Sequence, residues 1–459
     1  MYSWVRGQQT VIARSHNFMN KPWAAGVVLL ACVAVAMLLA NLPFTAEAYH
    51  EFLETDLLAE IRNNHVHLDW IFPTQMTIEK LINDGLMVIF FFTVGLEIKR
   101  EIVCGELSSV RKAMLPVLAA AGGMLAPALI FMLFNHGTPA ANGWGIPTAT
   151  DIAFAIGILS ILGDRVPVSL KVFLTALAIA DDLGAILVIA IFYGGNVRLG
   201  LLAIAFAILA LVYMMKRAGE KRMMFYLVPA VVVWALFYYS GVHSTISGVV
   251  MAMFIPMEAR YGREYFRRKS KSLTEALEAS IQAKGEGAAF PDEHQQFLLN
   301  KLSNISAGSV GMSYRLEHAL APYVSFLIMP IFALANAGVH IPSSEYFNIF
   351  HTSAQTGAIG MGIFLGLLLG KPVGIYLASR LAVLLKLGEM PSKSTWTMLF
   401  AVACLGGIGF TMSIFVDSLA FKDPDLIARG KIAILMGSAA AAVLGIVLIT
   451  LISKAKKSE

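Results

Sequence analysis

Asp181 and Asp182 stand side by side in Leu174–Ile189, a run that is otherwise almost wholly apolar. On an insertion scale an acid at the centre of a membrane helix costs about 3 kcal/mol, and each Leu, Ile or Val returns roughly 0.3–0.6. Two acids therefore offset about ten good apolar side chains, which an anchor alone has no reason to carry. Adjacent helix positions project about 100° apart, so one acid can look into a water path while the other faces a partner helix. Thr175, seven residues before Asp182, shares nearly the same face. A pair of buried acids satisfied by interhelical hydrogen bonds is the plainer alternative.

Other polar groups inside apolar runs are few enough to weigh singly. Thr148, Thr150 and Asp151 follow Pro147, where the helical hydrogen-bond ladder must fail. Freed carbonyls and these side chains supply oxygen ligands suited to a small hard cation; a polar helix cap is the bland reading. Lys371, between Gly370 and Pro372, lacks the earlier Gly and the following Ser or Thr of a phosphate-binding loop. An amine at that depth needs a carboxylate, and Asp181 or Asp182 offers one; a lysine that snorkels or pairs for stability alone is the other reading. Asp84 and Asp417 are weaker candidates for acids lining a path, since either can simply lie near an interface. The ten histidines form no metal-ligand set, Cys32, Cys104 and Cys404 lie far apart, and no Ser/His/Asp or Cys/His arrangement stands out. Enzyme chemistry and a resident cofactor are accordingly not expected.

The elements that must position these groups are membrane helices. Of 459 residues, 57% are hydrophobic and 14% charged, and the mean hydropathy is +0.70. The balance is that of a polytopic membrane protein. The net charge of +5 collects in alternate loops, as topology determinants do, and does not point to nucleic acid. About twelve apolar spans lie near 24–44, 78–98, 113–134, 145–163, 169–195, 198–215, 223–240, 243–257, 319–341, 354–385, 396–420 and 428–452. Basic connections alternate with acidic or nearly uncharged ones, which puts both termini in the cytoplasm, with the first span an uncleaved start-transfer helix.

The sequence thus predicts one all-α membrane domain over residues 1–459, with 260–313 as a cytoplasmic insertion between spans eight and nine. Within the insertion Leu273–Ala279 reads as a short polar helix with too few apolar residues for a core of its own. Its basic start, Arg267-Arg268-Lys269, suits a position near anionic lipid. Strand-like alternation over Asn64–Asp69 allows a hairpin in the outer loop. Spans three to five start inside and spans ten to twelve start outside, so the two triplets have the opposite orientation of inverted repeats. The middle span of each is interrupted, at Pro147–Asp151 and at Gly406–Ser413. Interrupted spans in corresponding positions of two halves point to a transport site.

Desolvation and a like-charged neighbour favour the protonated form of a carboxylic acid, and only the deprotonated form binds a cation. Proton and cation then exclude each other at one site, and alternating access turns exclusion into exchange. The chain carries no ATP-binding motif to power transport otherwise.

At these residues the chain resembles the NhaA-type sodium/proton antiporters. The stretches that carry the resemblance are Thr148–Ala155, Ala176–Ala185, Gly370–Gly374 and Gly406–Ser413, with Phe92–Glu101, Gly241–His243 and Arg315–His318. The resemblance implies two inverted three-helix repeats whose broken helices cross at the membrane midplane. It implies that Asp182 is the principal sodium ligand, that Asp181 shares the site and pairs with Lys371, and that Thr150 and Asp151 stand beside the crossing. Glu97, Arg100, Glu101, Glu317 and His318 would sense pH at a cytoplasmic funnel, modulated by His243. The activity implied is electrogenic, pH-regulated exchange of cytoplasmic sodium or lithium for external protons across a bacterial inner membrane, serving sodium and pH homeostasis. A homodimer formed through the outer hairpin is implied as well. The chain departs from the family pattern in its longer 260–313 insertion, in Ala321, and in the added acid Asp417. A sodium-coupled solute symporter shares broken helices and midplane acids and is the alternative; a channel would more naturally show repeated pore loops.

Overall fold

A helix is the one conformation in which a single apolar segment satisfies its own amides in lipid, and it accounts for nearly all the regular structure here. The computed structural model describes residues 21, 23–57, 76–195, 197–284, 290–353 and 356–458. In chain order the helices are α1 (Ala24–Asn41), α2 (Ala46–Glu54), α3 (Ile78–Cys104), α4 (Val110–Asn135), α5 (Ile152–Leu162), α6 (Val168–Phe192), α7 (Leu199–Arg217) and α8 (Met224–Ser240). They continue as α9 (Ser244–Phe254), α10 (Arg263–Lys284), α11 (Glu293–Gly308), α12 (Met312–Asn336), α13 (Ile359–Leu384), α14 (Trp396–Gly406), α15 (Phe410–Ala420) and α16 (Pro424–Ser458). Among the described residues nine helical segments are long and apolar enough to cross a membrane. The pair α14–α15, bent by 48°, makes a tenth, and α8 and α9 are shorter apolar helices. Each of the twelve apolar runs marked in the sequence therefore contains a helix among its described residues.

Two of them are broken, where interruption was expected. The fourth run begins as a 3-10 helix, Pro139–Thr148, and restarts as α5 after three extended residues. The eleventh stops at Gly406 and restarts at Phe410. Three helices also carry a single π-helical turn: Leu81–Leu86 in α3, Val324–Ile328 in α12 and Gly366–Gly370 in α13. Such turns concentrate at functional sites, and the first holds Asp84 while the third delivers Lys371.

Contact between helices relies on small residues, since lipid supplies no hydrophobic drive to bring them together. The closest pair is α4 with α13. A Cβ on Gly374 would lie 2.1 Å from the Gly122 carbonyl oxygen, and one on Gly122 only 2.5 Å from that of Gly374. No side chain fits at either position. One large cluster, including Phe91, Phe131, Leu177, Ile363, Leu405 and Phe415, joins the helices around the breaks. A second, with Leu209, Tyr226, Val233 and Met251, packs α7, α8 and α9 against one face of α3. The start of α4, just past the α3–α4 connection, lies beside the connection between α13 and α14: Arg111 pairs with Glu389, and Gly388 packs on Leu115. These connections mark one face of the molecule, called here the basic face.

The 260–313 segment is more ordered than its sequence suggested. In place of one short helix it forms α10, 22 residues, and α11, 16 residues, which pack together through Leu273, Leu298 and Ile305. Each helix alone is too polar for a core, and the stripe becomes useful only when paired. Its base is tied down by Arg260 and Tyr261, whose amides both donate to the Gly308 carbonyl (2.7 and 3.0 Å). Asn64–Asp69, where a hairpin was expected, lies outside the described residues.

Gly374→Val should lower the melting temperature of the detergent-purified protein, because overpacking a tight contact costs about 1–3 kcal/mol. Gly200→Ala, with nothing within 4 Å of the added carbon, should leave it unchanged. Equal melting of both variants would show that the α4–α13 contact is not tight.

Candidate ion-binding site

The two breaks lie against each other. The Asp151 amide donates to the Ile408 carbonyl at 2.7 Å, and the Thr150 hydroxyl to the Gly406 carbonyl at 2.9 Å. The Ser413 hydroxyl returns a bond to the Ile146 carbonyl at 2.8 Å. A Cβ on Gly409 would come 3.1 Å from the Ala149 carbonyl oxygen, so the segments touch backbone to backbone. Four helix ends meet in this small volume. α5 and α15 present N-termini, while Pro139–Thr148 and α14 present C-termini.

Each N-terminus carries about half a positive charge and each C-terminus about half a negative one. Asp151 answers both positive ends. Its Oδ1 accepts the Phe154 amide of α5 at 3.2 Å, and its Oδ2 accepts the amide (3.3 Å) and the hydroxyl of Thr411 in α15. Lys371 answers a negative end, for its Nζ donates to the Thr148 carbonyl. That second role of the lysine has no signal in the sequence. The same Nζ lies 2.8 Å from Asp181 Oδ2, with both side chains essentially inaccessible. Asp181 Oδ1 is buried and has no hydrogen-bond partner.

Asp182 turns the other way. It borders a cavity of about 210 Å³ together with Thr93, Glu97, Thr150, Asp151 and Ser325. The cavity spans from Asp182, 3% exposed, to Glu97, whose side chain is 32% exposed. It thus reaches a buried acid from the basic face. Thr175, on the expected face of α6, instead bonds its own helix at the Lys171 carbonyl. Among the described residues no three acids, cysteines or histidines gather as a metal cage. A transported cation here would draw on Asp182 with hydroxyl and backbone oxygens.

Of the residues assigned to a funnel, four come together. Arg100 lies 3.1 Å from Glu101 and 3.8 Å from Glu97 and also pairs with Glu317 of α12. His318 stands beside them, stacked on Tyr314 with Nδ1 3.0 Å from its carbonyl oxygen. His243 is not brought to this group. It precedes α9, with Nε2 2.7 Å from the Tyr193 carbonyl oxygen, and α9 meets the Arg100 region only at its far end, about 16 Å of helix away. Asp84 lies near His243, accepting from the Ser244 hydroxyl at 2.9 Å. Asp417 is fully buried in α15, apart from the cavity.

Sequence reasoning did not single out Thr411, which holds Asp151, or Lys99, which donates to the Met253 carbonyl (2.8 Å) and to those of Ala252 and Ile255 at the end of α9. The signal for Thr411 was its position just beyond the glycine break. Lys99 had none, since only the packing of α3 on α9 sets it over those carbonyls.

The family model described as Na+/H+ antiporter 1 matches residues 16–449. A relative from Oleidesulfovibrio alaskensis named Na(+)/H(+) antiporter NhaA is 41% identical over 449 residues, 98% of this chain and 96% of its own length. Relatives of the same name from Acidithiobacillus ferrooxidans (42% over 451 residues; 96% and 98%) and Escherichia coli O1:K1 (39% over 433; 94% and 96%) are similar throughout.

Lys371→Met leaves Asp181 as a lone buried charge and should cost about 3–5 kcal/mol. The double variant Lys371→Met/Asp181→Asn should regain most of the lost melting temperature. A double variant that melts at the sum of the two single losses would argue against a coupled pair.

Proposed function

We propose, for a chain that belongs to the Na+/H+ antiporter 1 family and exchanges sodium for protons across a membrane it crosses many times, that the exchange occurs at Asp182 and Asp181. The observation that carries this reading is the cavity that joins buried Asp182 to partly exposed Glu97 while its neighbour Asp181 is held by Lys371. Asp182 then has the competing choices the chemistry needs: a proton, or sodium or lithium, but not both. Thr150 and Asp151 keep the two breaks registered, so that the site moves as a unit when the cavity closes on one side and opens on the other. The cavity, about 210 Å³, is smaller than the roughly 300–1,000 Å³ of sites for small organic molecules, which speaks against a co-transported solute.

Lys371 supports electrogenic exchange. When a cation draws Asp181 away, the amine loses its counter-ion and sheds its proton, and a second proton must return before the pair reforms. More than one proton thus moves per cation. The Arg100 cluster supports regulation by pH. Glu97 belongs both to that cluster and to the cavity wall, so a change in the charge of the cluster is felt at the entrance to Asp182. His243 acts on this system only at a distance, through α9. The concentration of Arg and Lys on the basic face supports a cytoplasmic orientation for it and for both termini in a bacterial inner membrane. The exposed basic start of α10 suits anionic lipid at that surface. Dimerisation through the outer loop is the corresponding reading for the segment around Asn64–Asp69.

Everted membrane vesicles holding a respiration-driven pH gradient test the reading. Sodium or lithium should dissipate the gradient, with a rate that depends on pH and on the membrane potential. Asp182→Asn should abolish the response, since it removes ligand and titrating group together. Wild-type-like exchange in that variant would overturn the site assignment.

A further inference from the structure

Asp417 is an acid that the exchange site, as described, does not use. It lies in α15, six residues beyond Thr411, so about 9 Å of helix rise separates it from the contact with Asp151. α14 sets out from the basic face and α15 continues away from it, which puts Asp417 on the opposite side of the crossing from the Glu97 cavity. The residue is 0% exposed, and neither carboxylate oxygen has a hydrogen-bond partner. The carboxylate rests on the backbone of α16 at Gly430, where a Cβ would lie 2.1 Å from Oδ1. Any other residue at 430 would push it away.

The next residue, Lys431, is 8% exposed and interacts electrostatically with Asp417 without forming a direct ion pair. Glu79, at the start of α3, also lies within electrostatic reach of Lys431. Tyr193 lies within electrostatic reach of Asp417, and its hydroxyl donates to the Asn142 carbonyl at 2.8 Å and accepts the Gly145 amide at 3.2 Å. Of the other elements packed on α15, Pro139–Thr148 and the Met329–Asn336 end of α12 carry no titratable side chain, α5 brings Asp151 against Thr411, and α3 brings Phe91 against Phe415. Farther along, Asp425 and Arg429 of α16 are tied to each other and to Tyr346.

An acid buried inside a membrane without partners is costly to keep and by default marks an ion pathway. We propose that Asp417, with Lys431 beside it, is the outer proton station of the exchange. In the state open to the outer side, the Asp417 carboxylate takes a proton from hydronium or water on that side. The new O–H bond breaks again as the proton passes through water along α15 to the Asp182 carboxylate. Lys431 keeps its own proton and compensates the charge of Asp417 between deliveries. A proton fits this place better than sodium. Sodium would need several oxygen ligands, whereas Asp417 faces apolar elements and an amine that repels cations.

The inference rests on the antiport reading, and the test separates the two. Wild type and Asp417→Asn are reconstituted in vesicles with the cytoplasmic-side pH clamped, and the sodium exchange rate is followed as the outer-side pH is varied. Asp417→Asn should slow the maximal rate at least tenfold and flatten its dependence on outer-side pH. The apparent KM for sodium at the cytoplasmic side should stay within twofold. Should Asp417→Asn melt early, Asp417→Asn/Lys431→Met, which leaves no lone buried amine, is read in its place. A wild-type rate and outer-side pH profile in the variant that is read would overturn the proposal. So would a rise in KM matching the fall in rate, which would make Asp417 a structural part of the crossing. An antiport reading that fails shows already in the wild type; a failed proposal shows only in the variants.

Discussion

Where α5 and α15 begin, their first amides point at one carboxylate, that of Asp151. Without it, two helix N-termini would face each other in a medium with little screening, opposing the backbone and hydroxyl bonds that join the breaks. The opposite ends of the crossing have the converse need, met by the Lys371 ammonium on the Thr148 carbonyl and by the Thr150 hydroxyl on that of Gly406. Partial charges of helix ends and full charges of side chains therefore balance as a set. Moving one member disturbs the others, which is what a site that must switch between two faces requires.

Lys371 can reach this depth only because α4 and α13 touch. Gly122 and Gly374 remove every atom that would hold the two helices apart, and the π turn Gly366–Gly370 sets the register in which the lysine leaves α13. The amine is then shared between a carbonyl and Asp181. Buried ion pairs contribute little net stability compared with apolar packing, yet they are costly to break singly. On the proposed reading, such a pair would restrain the site until a cation competes for Asp181.

The molecule is asymmetric about the crossing. Towards the basic face an open cavity connects Asp182 to Glu97 and through it to the Arg100 cluster. Towards the other face Phe415, Phe91 and Phe332 pack closely, and Asp417 sits among buried groups with neither oxygen partnered. A transporter that alternates must exchange these conditions. On the proposed reading Asp417 would serve the closed side, on the same helix α15 that carries the Thr411 contact to Asp151.

The acids of the midplane were legible in the sequence because a charge in an apolar run stands out against its cost. Asp181, Asp182, Asp151 and Lys371 needed no structure to be noticed, and Pro147 with the Gly406–Gly409 cluster announced the breaks. Hydropathy likewise determined the helical spans, since a segment in lipid has no other way to satisfy its backbone. What composition and spacing could not decide was which partner each group would face. Thr148 offers Lys371 a carbonyl, and a backbone oxygen has no residue-specific signature. Lys99 caps α9, Thr411 binds Asp151, and His243 stands apart from the other residues grouped with it, all through helix packing between distant segments. The α10–α11 pair was missed for the same reason, because each stripe is too weak alone. One-dimensional sequence records the cost of burying a group; the contact that offsets that cost is a property of three dimensions.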